Sequence, residues 1–171
     1  MPTSYQAPMR QDREQPGSKS QTVTVGDHHA NVSEILDSKG REVFSIRPDE
    51  TLGQAVKELR DRRIGALTVT DGEGGLVGIL SERDIVRKLA ETPGQTLPQQ
   101  VGDVMTTSVE TCAPEEALVT VLKRMTNGRF RHMPVMDNEK LVGMVTIGDV
   151  INHRLTEVEH EALHLKQLIT G

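Results

Sequence analysis

Gly78-Ile79-Leu80-Ser81-Glu82-Arg83-Asp84 decides how this chain is read, because Gly143-Met144-Val145-Thr146-Ile147-Gly148-Asp149 repeats it. In both stretches an apolar strand ends, a hydroxyl residue follows, and an acid stands three positions later on a new helix. Hydroxyl and acid at that spacing make a helix N-terminal capping pattern. A chain that builds this device twice reads as two copies of one unit.

The elements around the device repeat in the same order. Val32-Ser33-Glu34-Ile35-Leu36 is a short helical turn, Lys39-Gly40 a break, and Val43-Phe44-Ser45-Ile46 a strand. Pro48-Asp49-Glu50-Thr51 starts a helix capped by Thr51 or Asp49. Its apolar stripe is Leu52, Ala55, Val56 and Leu59. Residues 66–70 and 76–80 are strands of a hairpin turned at Asp71-Gly72-Glu73-Gly74-Gly75. A helix then runs from Ser81 to about Ala90.

In the second copy Val101-Gly102-Asp103-Val104-Met105 answers residues 32–36, and Val109-Glu110-Thr111-Cys112 is the strand. Pro114-Glu115-Glu116 opens the helix striped by Leu118, Val121, Leu122 and Met125. A second hairpin turns at Asp137-Asn138-Glu139-Lys140, and Thr146 opens the last helix. Val101 follows Val32 by 69 residues, Pro114 follows Pro48 by 66, and Gly143 follows Gly78 by 65. A nearly constant offset with unchanged order marks a tandem duplication. The expected layout is an arm over 1–30, one repeat over 31–92, a linker over 93–100, a second repeat over 101–156 and a helical extension over 157–171. The fold class is mixed α/β, as two βαββα units packed about a pseudo-twofold seam. A ligand crevice is expected along that seam.

Composition narrows the function classes. Apolar residues make up 35% of the 171, aromatics 2%, and the net charge is −5. The core must be aliphatic, and no general field draws in nucleic acid or an acidic membrane surface. A single cysteine, Cys112, excludes an internal disulfide and a Cys-based zinc site, and reads as a small buried apolar residue. No 18-residue apolar run or signal core is present, so a soluble cytoplasmic chain is expected. The N-terminal arm is polar and turn-rich, expected to be mobile, with Val23-Thr24-Val25 as a possible short strand and His28-His29 as solvated histidines. Beyond Leu155 an apolar stripe of Leu155, Val158, Ala162, Leu165 and Ile169 continues. Two readings stay open for it: packing on the chain's own body, or a short coiled contact with a second copy.

The capping atoms can also serve a ligand. A helix N-terminus offers free N–H groups and a positive dipole end, and a hydroxyl there donates to phosphate. A carboxylate repels phosphate but accepts from a ribose diol. Ser81 with Asp84 and Thr146 with Asp149 therefore suit a nucleotide's phosphate and ribose. Gly78 and Gly143, inside strands, fit close approach of a ligand or of another backbone. Arg129-Phe130-Arg131-His132 reads as a phosphate clamp beside the hairpin leading to Thr146. Its Arg131-His132 side is expected to supply most of the positive charge, with Lys39, Arg41 and Arg83 contributing in the first copy.

The doubled pattern of helix, strand, helix, hairpin and Gly-x-x-[Ser/Thr]-x-x-Asp helix start resembles the CBS domain pair, named for cystathionine β-synthase. The resemblance covers Val32 to about Leu155, and small stand-alone bacterial members share Lys39-Gly40, Ser81-Glu82-Arg83-Asp84 and Arg129-Phe130-Arg131-His132-Met133-Pro134-Val135. It implies two clefts between the copies that take adenosyl ligands: AMP, ADP, ATP, S-adenosylmethionine or NADH. It implies ribose on Asp84 and Asp149, and phosphate on Ser81 and Thr146 with Arg83 nearby. Adenine is then placed by the loops holding Lys39, Gly40 and Val43, and Met105, Thr107 and Val109. Backbone from Gly65, Ala66, Arg131 and His132 lies opposite. Arg131-His132 stands where small residues are common, which predicts a narrower second cleft or one suited to a more highly charged phosphate. The resemblance further implies a homodimer.

The leading reading is a non-catalytic regulatory module that binds an adenine nucleotide, needs no resident cofactor and signals to an effector protein in trans. The alternative is a structural dimer or adaptor whose hydroxyl–acid pairs only cap helices. An enzyme lacks support, with no paired metal carboxylates, no nucleophile with a base and no phosphate loop.

Overall fold

The computed structural model describes residues 29–171. The arm expected over 1–30 lies outside these save for its last two residues, as do the Val23-Thr24-Val25 strand and His28. Helix α1 spans Val32–Lys39, strand β1 Ser45–Ile46, α2 Leu52–Arg62, β2 Ala66–Thr70, β3 Leu76–Ser81 and α3 Glu82–Glu91. A 3-10 turn at Val101–Asp103 follows, then α4 Leu118–Gly128, β4 His132–Asp137, β5 Lys140–Thr146 and α5 Ile147–Thr170. One sheet has the order β1-β2-β3, with β1 parallel to β2 and β2 antiparallel to β3; the other is the β4–β5 hairpin.

The capping signals act where the sequence places them. Thr51, Ser81 and Thr146 are the N-caps of α2, α3 and α5, each in a reciprocal capping box. Asn31 caps α1 in the same way with Glu34. The second hairpin closes with Asn138 at φ 46° and Glu139 at φ 65°, the backbone of a two-residue turn whose twist matches the strands.

Three local expectations are corrected. The expected strand at 109–112 shrinks to one bridge, Cys112 beside Val135. Pro114 has no N–H to continue a ladder and biases its predecessor, and the Thr111 carbonyl is already taken by Arg124. The expected start of α4 at 114–116 moves to Leu118. Ala117 stands at the cap without a side-chain bond, and the Glu116 carboxylate is bound to Arg124. The first strand keeps only Ser45–Ile46 of the four residues expected.

The two cores exchange their leading segments. Val32, Ile35 and Leu36 of α1 are buried with Val121, Met125, Met133, Val135, Val145 and Val150, all from the second copy. Val101 is buried with Leu52, Leu67, Val69 and Leu80 of the first copy, with Val104 and Met105 packed alongside. Backbone bonds repeat the exchange: Val32 N–H donates to the Glu116 carbonyl at 3.1 Å and Val101 N–H to the Glu50 carbonyl at 2.8 Å. Each apolar side chain so placed contributes about 1.5–3 kcal/mol, so the two copies are stapled to one another.

Gly78 and Gly143 are where the exchanged segments press in. A methyl group at Gly143 would lie 2.6 Å from Leu36 Cδ2 and 2.9 Å from Cδ1. One at Gly78 would lie 2.5 Å from Met105 Sδ and 3.1 Å from the Thr106 carbonyl oxygen. The close approach expected at these glycines is therefore made by the other copy's leading segment, not by a ligand. Leu36 is fully buried and has nowhere to swing. Gly143→Ala should cost about 1–3 kcal/mol by overpacking, read as a lower urea midpoint; an unchanged midpoint would contradict this packing.

Candidate functional site

A cleft of about 650 Å³ opens between the copies, and three segments build it. The end of β3 and the first turns of α3 bring Ser81, Glu82, Arg83, Asp84 and Arg87. The loop after the 3-10 turn brings Thr106, Ser108, Val109 and Glu110, and the junction of α4 with β4 brings Arg129, Phe130, Arg131 and His132. The exchange of leading segments is what assembles it. Ile79 and Thr106 trade backbone hydrogen bonds at 3.0 and 2.9 Å, which ties the crossing loop to β3 just before Ser81.

Cap and ligand readings of Asp84 use different oxygens. Ser81 Oγ accepts from the Asp84 N–H at 3.3 Å. Asp84 Oδ2 accepts from the Ser81 N–H at 2.8 Å and from Ser81 Oγ at 2.7 Å. No hydrogen bond from the described residues reaches Oδ1. The capping box thus fixes the carboxylate against the helix end and leaves one acceptor oxygen in a residue that lines the cleft.

The equivalent acid is placed differently. Asp149 Oδ2 accepts from the Thr146 N–H at 2.9 Å and from Lys39 Nζ at 2.6 Å. Burial pushes its carboxyl up, but the Lys39 and Thr146 bonds outweigh that and hold it below the usual value. Lys39 closes α1, whose C-terminal Gly40 at φ 97° donates its N–H to the Leu36 carbonyl. The exchange of α1 is therefore what carries this lysine to the other copy's acid.

Of the residues expected to bind a ligand, Gly65, Ser81, Arg83, Asp84, Val109, Arg131 and His132 meet in the one cleft. Lys39, Thr146 and Asp149 come together beside His132 but are not among the residues lining the cleft. Ala66 is buried in β2 opposite Ser81, Met105 packs under Gly78, Val43 is half-buried, and Thr107 is exposed. The expected clamp does stand beside Thr146, with His132 paired to it across the hairpin, and its residues also line the cleft that holds Asp84. Thr106 and Ser108 belong to the loop from Met105 to Val109 that was expected to place adenine, while sequence reasoning missed Arg87 and Glu110. Arg87 had a signal, since it lies one turn beyond Arg83 on the same helix face. Glu110 is brought in only by the crossover.

Four arginines and three carboxylates line the cleft, in a chain of net charge −5. Arg83 and Arg87, like charges at i and i+4, oppose helix stability by a few tenths of a kcal/mol in general. Arg129 lies at φ 55°, a conformation that favours glycine, and its carbonyl accepts a hydrogen bond from Arg83. Arg63 closes α2 at φ 54° in the same way, so the left-handed arginine is a helix C-cap common to both copies.

His132 does not bring the positive charge expected of it. Burial lowers its pKa, with Glu82 acting in the opposite direction, so it is neutral at pH 7 and the cleft's cations are arginines. Its ring lies against Gly65, where a methyl group would come within 3.1 Å of it. Because the unfolded chain binds a proton at His132 more readily, its contribution to stability is present above about pH 6.5 and lost as the pH falls below that. The melting temperature should therefore drop between pH 7 and pH 5, and less so in His132→Gln. An identical drop in both proteins would assign the effect to another group.

Cys112 is buried, and burial pushes its thiol up to about 12, so it stays protonated at neutral pH. Among the described residues no group of three or more His, Cys, Asp or Glu could hold a metal ion. No helix among them is long and apolar enough to cross a membrane.

Comparisons with known proteins agree with this architecture. The CBS domain family model matches residues 32–91 and 101–156. The CBS domain-containing protein CBSX3, mitochondrial, of Arabidopsis thaliana is 33% identical over 154 residues, covering 85% of this chain and 75% of that protein. A CBS-domain containing protein from Agrobacterium tumefaciens, known from its crystal structure, is 40% identical with a TM-score of 0.72, covering 74% of this chain and 94% of that one. The CBS domain pair of protein MJ0100, crystallised in complex with 5′-methylthioadenosine and S-adenosyl-L-methionine, is 27% identical with a TM-score of 0.65, over 76% of this chain and 98% of that one. With both copies matched and the fold shared, the chain belongs to the CBS domain family, as a tandem pair of CBS repeats.

Proposed function

We propose that this CBS pair is a non-catalytic regulatory module that binds one adenine nucleotide per chain in the Asp84 cleft. The observation that carries the reading is the pairing, in one cleft, of a carboxylate oxygen left unbonded by its cap with four arginines. The acid accepts from a ribose diol, and the arginines match the charge and fork geometry of phosphate oxygens. The related pair of protein MJ0100 takes adenosyl ligands without phosphate. Here the arginine lining disfavours the sulfonium of S-adenosylmethionine and favours ADP, ATP or NADH over AMP. The second ribose acid, Asp149, is engaged by Lys39, which limits the chain to one ligand. Binding across the seam links the two copies, and the effect passes to an effector protein in trans.

A panel of adenosine ligands followed by melting temperature tests this. A ligand at a hundred times its dissociation constant stabilises by about 2.7 kcal/mol. The expected order is ATP and ADP above AMP, with S-adenosylmethionine weakest and calorimetry giving one site per chain. Arg129→Gly separates binding from folding. Glycine relieves the left-handed backbone, so the variant should melt at or above the wild-type temperature while its nucleotide shift shrinks. If no adenosine compound moves the melting temperature, the structural or adaptor reading replaces this one.

A further inference from the structure

The last helix carries an apolar seam that the other described residues do not cover. Helix α5 packs on α1, α4 and β5 through its first turns, with Val150 buried. From Val158 to the end every residue is exposed. Ile151, Leu155, Val158, Ala162, Leu165 and Ile169 are spaced by alternating fours and threes, the seam of a coiled coil. The five large ones are between 43% and 84% exposed. Successive residues turn by about 100° around a helix, so the seam lies beside the face led by Val150, not on it. Among the described residues, none packs on this stripe.

The flanking charges select both occupant and direction. With Leu155, Ala162 and Ile169 at positions a, Arg154 and Glu161 fall at g, and Glu159 and Lys166 at e. Two parallel copies bring each g residue beside the next e residue of the partner. Arg154 then meets Glu159 of the second copy, and Glu161 meets Lys166, both pairs of opposite sign. Antiparallel copies with Val158 facing Ala162, and so centred on His160, would instead set Glu159 against Glu159 and Glu161 against Glu161. The helix is started by its capping box and its packed first turns, so the cost of nucleation is already met. The exposed stretch is marginal alone but becomes an ordered strand of a dimer once its seam is covered. We infer that two copies of this chain join through the distal part of α5 as a parallel two-stranded coiled coil.

Disulfide trapping in the full chain tests both partner and direction. The native cysteine is buried, so a new surface cysteine reports alone. In a parallel coil Ile169 faces Ile169 of the second copy, and Ile169→Cys should form a covalent dimer on mild oxidation. Adding Val158→Asp and Leu165→Asp, both at exposed positions, should abolish it without lowering the melting temperature of the body. Arg154→Glu should weaken trapping, and the swap Arg154→Glu with Glu159→Arg should restore it. A sedimenting monomer at micromolar concentration overturns the inference. So does trapping that survives the aspartates, or that requires Ile151→Cys together with Ile169→Cys, the antiparallel result.

Discussion

Leu36→Ala is expected to lower the unfolding free energy by about 2–5 kcal/mol, the range for a buried leucine whose cavity only partly collapses. That is a large fraction of the 5–15 kcal/mol typical of a whole domain. The size follows from location. Leu36 sits in a helix of 8 residues, a length that is marginal without tertiary packing. It is fully buried in the second copy's core, with both methyl groups against Gly143. A loss below about 1 kcal/mol in a urea titration would mean that α1 is a peripheral arm and the exchange does not hold the copies together. A double-mutant cycle with Gly143→Ala sharpens the point. Shortening Leu36 makes room for the new methyl, so the two costs should add to less than their sum. Strict additivity would deny the contact.

The second large effect is on binding. Asp84→Asn should weaken the nucleotide roughly tenfold to a hundredfold, since a hydrogen bond to a charged group is worth about 1.5–3 kcal/mol. At a nucleotide concentration giving about 2.7 kcal/mol in the parent protein, most of the thermal shift should vanish. Asparagine retains an acceptor oxygen for the Ser81 cap, so the unliganded melting temperature should change little; alanine would lose the cap and cost about 1 kcal/mol more. Asp149→Asn is the matched control, because its carboxylate is committed to Lys39 and Thr146. It should leave nucleotide affinity where it was. Equal losses from both substitutions would mean that two clefts are in use. Unimpaired binding by Asp84→Asn would remove ribose from this acid and return Ser81-x-x-Asp84 to a cap alone.

Much of the architecture was legible along the chain because its causes are local. Ser81 and Asp84, or Thr146 and Asp149, need only three residues of helix to find one another, and the hairpins need only their turns. The duplication itself was a matter of counting residues. Less legible were the elements ruled by a distant partner. The strand at 109–112 was lost because Arg124 took the Thr111 carbonyl and proline ended the ladder. The left-handed residues Arg63 and Arg129, equivalent in the two copies, appear in the sequence as ordinary arginines.

By itself the sequence settled that there are two copies of a strand–helix device, that their cores are aliphatic, and which acids stand at the helix tips. Only the tertiary structure decided which copy each leading segment serves. Residues 32–36 and 101–105 are apolar in similar patterns, and periodicity records that a face is buried but not against what. Burial against the other copy made the difference. It carried Lys39 to Asp149 and Thr106 to Ile79, so that two sites equivalent in sequence became one acid joined to a lysine and one facing an arginine-lined cleft.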